Sequence, residues 1–142
     1  MRVTTIALGA VLLLGATPAI AEGELYRCSA RNVSAFADDG TLGQFNNDFW
    51  TKRWTDVLVD TATGLIRWSG QGVSAGSSAQ WVVIQNGSSN GDFVASRQAN
   101  LRSASTDVLR IRAWSIDPSV HSVRFIYFGL SMIVTGVCEP VQ

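Results

Sequence analysis

The chain has 142 residues with eleven basic and eleven acidic side chains, a formal net charge of zero. That balance lacks the basic footprint of a dedicated nucleic-acid binder and the polybasic face of a membrane-surface protein. The length suits one ordinary domain with a core of its own, in which a disulfide assists the packing rather than replacing it.

At the start, Arg2 precedes an apolar run from Ile6 to Ala16, and small residues follow at Ala19 and Ala21. This is the pattern of a secretory signal peptide over 1–21, cut before Glu22. The run is short for a membrane span. No cysteine directly follows the cut, so a lipid anchor is not expected either. The mature chain is then a single domain over 22–142, periplasmic or secreted, with no stable membrane insertion. Losing Arg2 leaves ten basic residues against eleven acidic ones. Its two cysteines, Cys28 and Cys138, sit near its two ends. In an oxidising compartment they are expected to form one disulfide that closes almost the whole domain. A redox pair would have the short C-x-x-C spacing instead.

Downstream, short runs rich in Val, Ile, Trp, Phe and Tyr alternate with Gly, Asn, Asp and Ser clusters. Strands are expected at 24–31, 33–37, 56–60, 65–69, 80–85, 92–97, 107–114, 121–128 and 131–138. The fold class is mainly β, an antiparallel meander closed as a small barrel or a sandwich. Between the first strands and the third, "DDG" at 38–40 reads as a hairpin turn before it reads as a calcium ligand set. "NNDFWTKRW" breaks the β pattern. Asn47 or Asp48 caps a short helix over 47–54 that brings Phe49, Trp50 and Trp54 to one end of the fold. These aromatics could stack on a sugar, but packing is their commoner use.

"VDTATGLIRW" at 59–68 is strand, turn, strand. Asp60 starts the turn, Gly64 supplies positive φ at its exit, and Ile66 and Trp68 face inward while Arg67 faces solvent. "QNGSSNGD" at 85–92 reads as a longer, flexible connection. Its alternating Asn86, Ser88, Asn90 and Asp92 make a poor calcium loop, because Arg97 stands where the closing acid belongs. In the C-terminal hairpin, Gly129-Leu130 suits a type II′ turn. That register pairs Tyr127 with Met132, Phe125 with Val134 and Val123 with Gly136. Those residues, with Leu109, Ile111, Ala113, Tyr26, Cys28, Ala30 and Cys138, form one apolar face.

The opposite face carries Arg110, Arg112 and Arg124, with Trp114, Ile126, Phe128 and Ile133 on the same side. Arginines beside aromatics can hold carboxylates or phosphates bidentately. The plainer alternative is a solvated face whose arginine stems cover apolar surface. Glu24, Asp56 and Asp60 are the candidate internal counter-charges. His121 is the single histidine. With Asp117 and the serines at 115, 119 and 122 it offers the makings of a hydrolytic triad, although "IDPS" is explained by turn chemistry. No metal or cofactor is implied.

"YRCSARNVSAF", "VDTATGLIRW" and "TGVCEP" together resemble segments of small secreted β-domain proteins of Gram-negative bacteria. The resemblance implies export and a β-fold and carries over no activity. Small periplasmic lysozyme inhibitors are similar in size and in their cysteine-linked barrel, but their S-G-x-x-Y segment does not occur here. The reading is a non-enzymatic periplasmic or secreted binding domain for a protein or a small anionic ligand. The alternatives are a small hydrolase using His121 and a passive structural envelope protein.

Overall fold

The computed structural model describes residues 23–45, 48–70, 75–88, 91–98, 106–112, 122–129 and 131–142. In chain order the elements are β1 (Leu25–Phe36), β2 (Leu42–Gln44), α1 (Asp48–Arg53), β3 (Val57–Asp60), β4 (Leu65–Trp68), β5 (Ser77–Gln80), β6 (Val82–Ser88), β7 (Gly91–Gln98), β8 (Thr106–Arg112), β9 (Val123–Gly129) and β10 (Met132–Pro140). All pairings are antiparallel, along the path β5-β4-β3-β1-β10-β9-β8-β7-β6, with β2 attached to β1. The two ends of that path, β5 and β6, are separated in sequence only by Trp81. One bent strand thus lies against β4 with its first half and against β7 with its second. The sheet is nearly closed as a barrel, which removes most of the edge an open sheet would expose.

The bend is tied down at the tip of the β3–β4 hairpin, where the Trp81 amide donates to the Gly64 carbonyl at 3.0 Å. Gly64 has φ +74°, and a Cβ there would stand 2.5 Å from the Trp81 carbonyl oxygen. Only glycine meets both demands. The rest of this turn forms as its sequence dictates. Asp60 Oδ1 accepts from the amides of Ala62 and Thr63, and Ile66 and Trp68 are buried while Arg67 is exposed.

Alternation along the strands fills the interior with Tyr26, Cys28, Val57, Val59, Ile66, Trp68, Phe93, Leu109, Ile111, Phe125, Tyr127 and Val134. The expected apolar face is therefore the inside of the barrel. Cys28 and Cys138 are paired residues of the neighbouring strands β1 and β10, and their sulfurs are bonded at 2.00 Å.

The details depart from the sequence reading at several points. β1 runs unbroken through both of the first two expected strands. It bulges where Ala30 pairs with Gly136 and Asn32 with Thr135, leaving Arg31 unopposed. The Ala30 amide turns to the Trp54 carbonyl at 2.8 Å. That bond lies in the gap on β1 between the end of its pairing with β3 and the start of its pairing with β2. Both β2 and β5 are strands that the apolar pattern missed, because their residues are mostly exposed and bury no alternate positions. "QNGSSNGD" is mostly ladder rather than loop: Asn86 pairs with Phe93 and Ser88 with Gly91, with Gly87 at φ +74°.

The C-terminal hairpin is offset by two residues from the type II′ expectation. Gly129 pairs with Met132, Tyr127 with Val134 and Phe125 with Gly136. Ser131, at φ +63°, carries the positive φ, and Gly129 does not. Gly129 is small for a different reason: a Cβ there would meet Asp107 Oδ1 at 2.2 Å and the Tyr127 hydroxyl at 2.4 Å. A shift of two leaves every side chain on its own face, so the inward set survives the error.

Candidate functional site

Two groups of polar side chains stand out, one outside the barrel and one at its end. Strands β8 and β9 build the outer one. Arg110 pairs with Ile126 and Arg112 with Arg124, and period-two alternation turns all three arginines outward. Arg110, Arg112, Arg124, Phe125 and Ile126 line an open groove of about 390 Å³. Arg112 and Arg124 are direct cross-strand partners, a placement at which like charges oppose pairing.

The Arg110 guanidinium forms a charge-assisted contact with Asp92 Oδ2 on β7. None of the three expected acids supplies this counter-charge. Asp56 pairs with Arg27 at 3.4 Å, Asp60 organises its own turn, and Glu24 accepts from the Tyr26 hydroxyl. Asp92 was legible only as part of an unconvincing metal pattern. The signal was its parity: on β7 it shares a face with Val94, the partner of Arg110. Of the remaining predicted site residues, Cys28 and Cys138 are brought together. Trp114 lies outside the described residues, as do Asp117 and His121 of the hydrolytic alternative.

The inner group lies at the end of the barrel where β9 turns into β10. Asp107, on β8, is buried and accepts from the Tyr127 hydroxyl, while its Oδ1 has no hydrogen-bond partner. Its cross-strand partner is Arg97, and Arg53 of α1 adds a second positive charge nearby. The Arg53 guanidinium lies 4.5 Å from the Trp68 ring centroid and 5.8 Å from that of Trp50, a cation–π arrangement. Sequence reading missed this group, although Asp107 shares its parity with Leu109 and Ile111. An acid on an inward face is a readable signal.

Burial is the main cause that raises the Asp107 carboxyl above the ordinary carboxylate range, against the Tyr127 hydrogen bond and the charges of Arg97 and Arg53. Burial likewise raises the Tyr127 phenol, with the Asp107 charge adding to the effect, and lowers Arg53. A carboxyl raised by folding favours the native state most when protonated. Its contribution is present at low pH and is lost as pH climbs from about 4, the ordinary aspartate value, through the raised one. Asp107→Asn should therefore lack a decline in thermal midpoint that the wild type shows over that window. Parallel melts from acid to neutral pH check this, and superimposable pH profiles would contradict it.

The fold thus defines a class, a small disulfide-linked antiparallel β-barrel with a short helix at one end and a basic groove on its outer wall. Comparison with protein families, curated proteins and solved structures finds no match.

Proposed function

We propose that the protein is a non-enzymatic binding domain of a periplasmic or secreted setting, and that its outer groove takes an anionic group. The observation that carries this reading is the apposition of Arg112 and Arg124 as direct cross-strand partners beside exposed Ile126. Strand pairing alone opposes two guanidinium groups at that position. A carboxylate, phosphate or sulfate in the groove gains charge-assisted contacts from guanidinium groups gathered on one face, and the fork of each guanidinium suits planar oxyanions. Arg110 is partly committed to Asp92, so it supports the rim of the groove. The disulfide suits an oxidising compartment, and the signal-like segment at 1–21 agrees with it.

A thermal-shift series with phosphate, sulfate, citrate and an acidic polysaccharide tests the groove. An anion at a hundred times its Kd stabilises the native state by about 2.7 kcal/mol, a rise of several degrees. That rise should vanish in Arg112→Ala and Arg124→Ala. It should persist in Arg67→Ala, which removes an exposed arginine from β4. Equal responses from all four proteins would mean that the arginines are only a solvated face.

A further inference from the structure

We infer that α1 is a proton-controlled cap, closed over the end of the barrel while Asp107 is a neutral acid and loosened when that side chain ionises. The coupling runs through Tyr127. Its hydroxyl donates to the Asp107 carboxyl, and its ring carries the helix. Trp50 stacks on that ring with centroids 6.2 Å apart, and the Trp54 ring lies 4.7 Å from it. One side chain thus holds both the acid and the cap.

Asp107 is 8% exposed, and its Oδ1 has no hydrogen-bond partner among the described residues. A neutral carboxyl bears that burial at modest cost. A carboxylate does not, because the charged form gives up far more hydration than the neutral one. The charged and titratable groups that face it are Tyr127 of β9, Arg97 of β7 and Arg53 of α1. Both arginines favour the carboxylate, yet burial outweighs them and the Tyr127 hydrogen bond, so the carboxyl stays raised. Tyr127 is raised as well and keeps its proton from acid to neutral pH, and the arginines keep theirs. Asp107 is the member of this cluster that changes charge.

Once ionised, the carboxylate regains hydration through whichever wall yields at least cost. β7, β8, β9 and β10 are consecutive in the sheet, and each is locked by backbone pairing. The end of β9 is tight as well, since a Cβ on Gly129 would meet Asp107 Oδ1. α1 has no such ladder. It is six residues long, well short of the ~12–15 at which an isolated helix holds in water. Ring contacts keep it in place, with Arg53 over Trp68 and Trp50 and the Ala30 amide bonded to the Trp54 carbonyl at 2.8 Å. Local opening begins at the least stable element of a fold. Lifting α1 takes Trp50 off Tyr127 and brings water to the Tyr127–Asp107 pair.

Hydrogen exchange from acid to neutral pH, corrected for the intrinsic rate, tests the cap. One proton separates the two states, so the opening constant should rise by up to about tenfold per pH unit between the ordinary aspartate value, about 4, and the raised one. The reporters are the Trp54 amide, bonded to the Trp50 carbonyl, and the Ala30 amide. Their wild-type protection should fall in that window while the amides of β10 hold theirs. In Asp107→Asn, which cannot ionise, it should stay level. Tyr127→Phe keeps the ring that carries the helix and removes the hydroxyl that favours the carboxylate, so its loss of protection should continue to higher pH than in the wild type. Wild-type protection that ignores pH, falls equally in Asp107→Asn, or falls only together with that of β10 overturns the inference. A Tyr127→Phe profile that ends no higher in pH than the wild-type one does so too.

Discussion

Reducing the Cys28–Cys138 bridge is expected to lower the thermal midpoint on the order of 15 °C. The bridge spans a sequence separation of 110 residues. In the chain-entropy account a loop of that length restricts the unfolded state by about 4–5 kcal/mol, a large share of the stability of a small domain. Its position adds a structural reason. β1 and β10 are the first and last full strands, and their pairing is the seam at which the barrel joins the two ends of its chain. The bond fastens that seam at Cys28 and Cys138, between Ser29 opposite Val137 and Arg27 opposite Glu139. Melts with and without reductant, and of Cys28→Ala/Cys138→Ala, should agree with one another. Non-reducing peptide maps should recover the linked pair. Two freely alkylated thiols in the unreduced protein, or a shift of only a degree or two, would refute the assignment.

The fold was legible wherever burial imposed a period on the chain. β3, β4, β8, β9 and β10 each bury alternate residues, so their existence and their inward faces could be read directly. β2 and β5 have no such imprint. They are held by backbone pairing to β1 and β4 while their side chains stay mostly in solvent, so hydrophobic pattern cannot find them. Position within the ladder is a finer matter than face. The Gly129-Leu130 turn was read as glycine chosen for its backbone freedom. At that position the chain needs a missing Cβ under Tyr127 and Asp107, and the positive φ falls on Ser131.

The arginine groove was legible for the same reason as the core: an even register keeps alternate residues on one face whatever their exact partners. Its counter-charge was not. Asp92 reaches Arg110 across the β7–β8 pairing, and it was read as the end of a connection, whereas β7 already begins at Gly91. Asp107 was hidden by a habit of reading. Acids in a strand are assigned to solvent by default, and here one points inward beside a tyrosine and two arginines.

Trp54→Ala is expected to cost about 3–5 kcal/mol, the range for truncating a buried large aromatic residue. Trp54 is 1% exposed and directly follows α1. Its ring stacks on Phe125 with centroids 5.6 Å apart, lies 4.7 Å from Tyr127 and meets Trp68 edge-on at 6.3 Å. It is the point at which the helix enters the barrel, so truncation removes volume from the core and the anchor of α1 together. Trp54→Phe separates these effects from the polar atom. The buried Trp54 Nε1 has no hydrogen-bond partner, and a donor left in that condition costs about 1–3 kcal/mol. Phenylalanine keeps most of the ring contact and discards the donor, so its net cost should be well under half that of alanine. Trp50→Ala, at a half-buried position of α1, should fall below Trp54→Ala as well. Guanidinium unfolding of the three variants gives the order. If Trp54→Ala lies within about 1 kcal/mol of wild type, well under the usual cost of emptying a packed site, then the helix does not plug the barrel in solution.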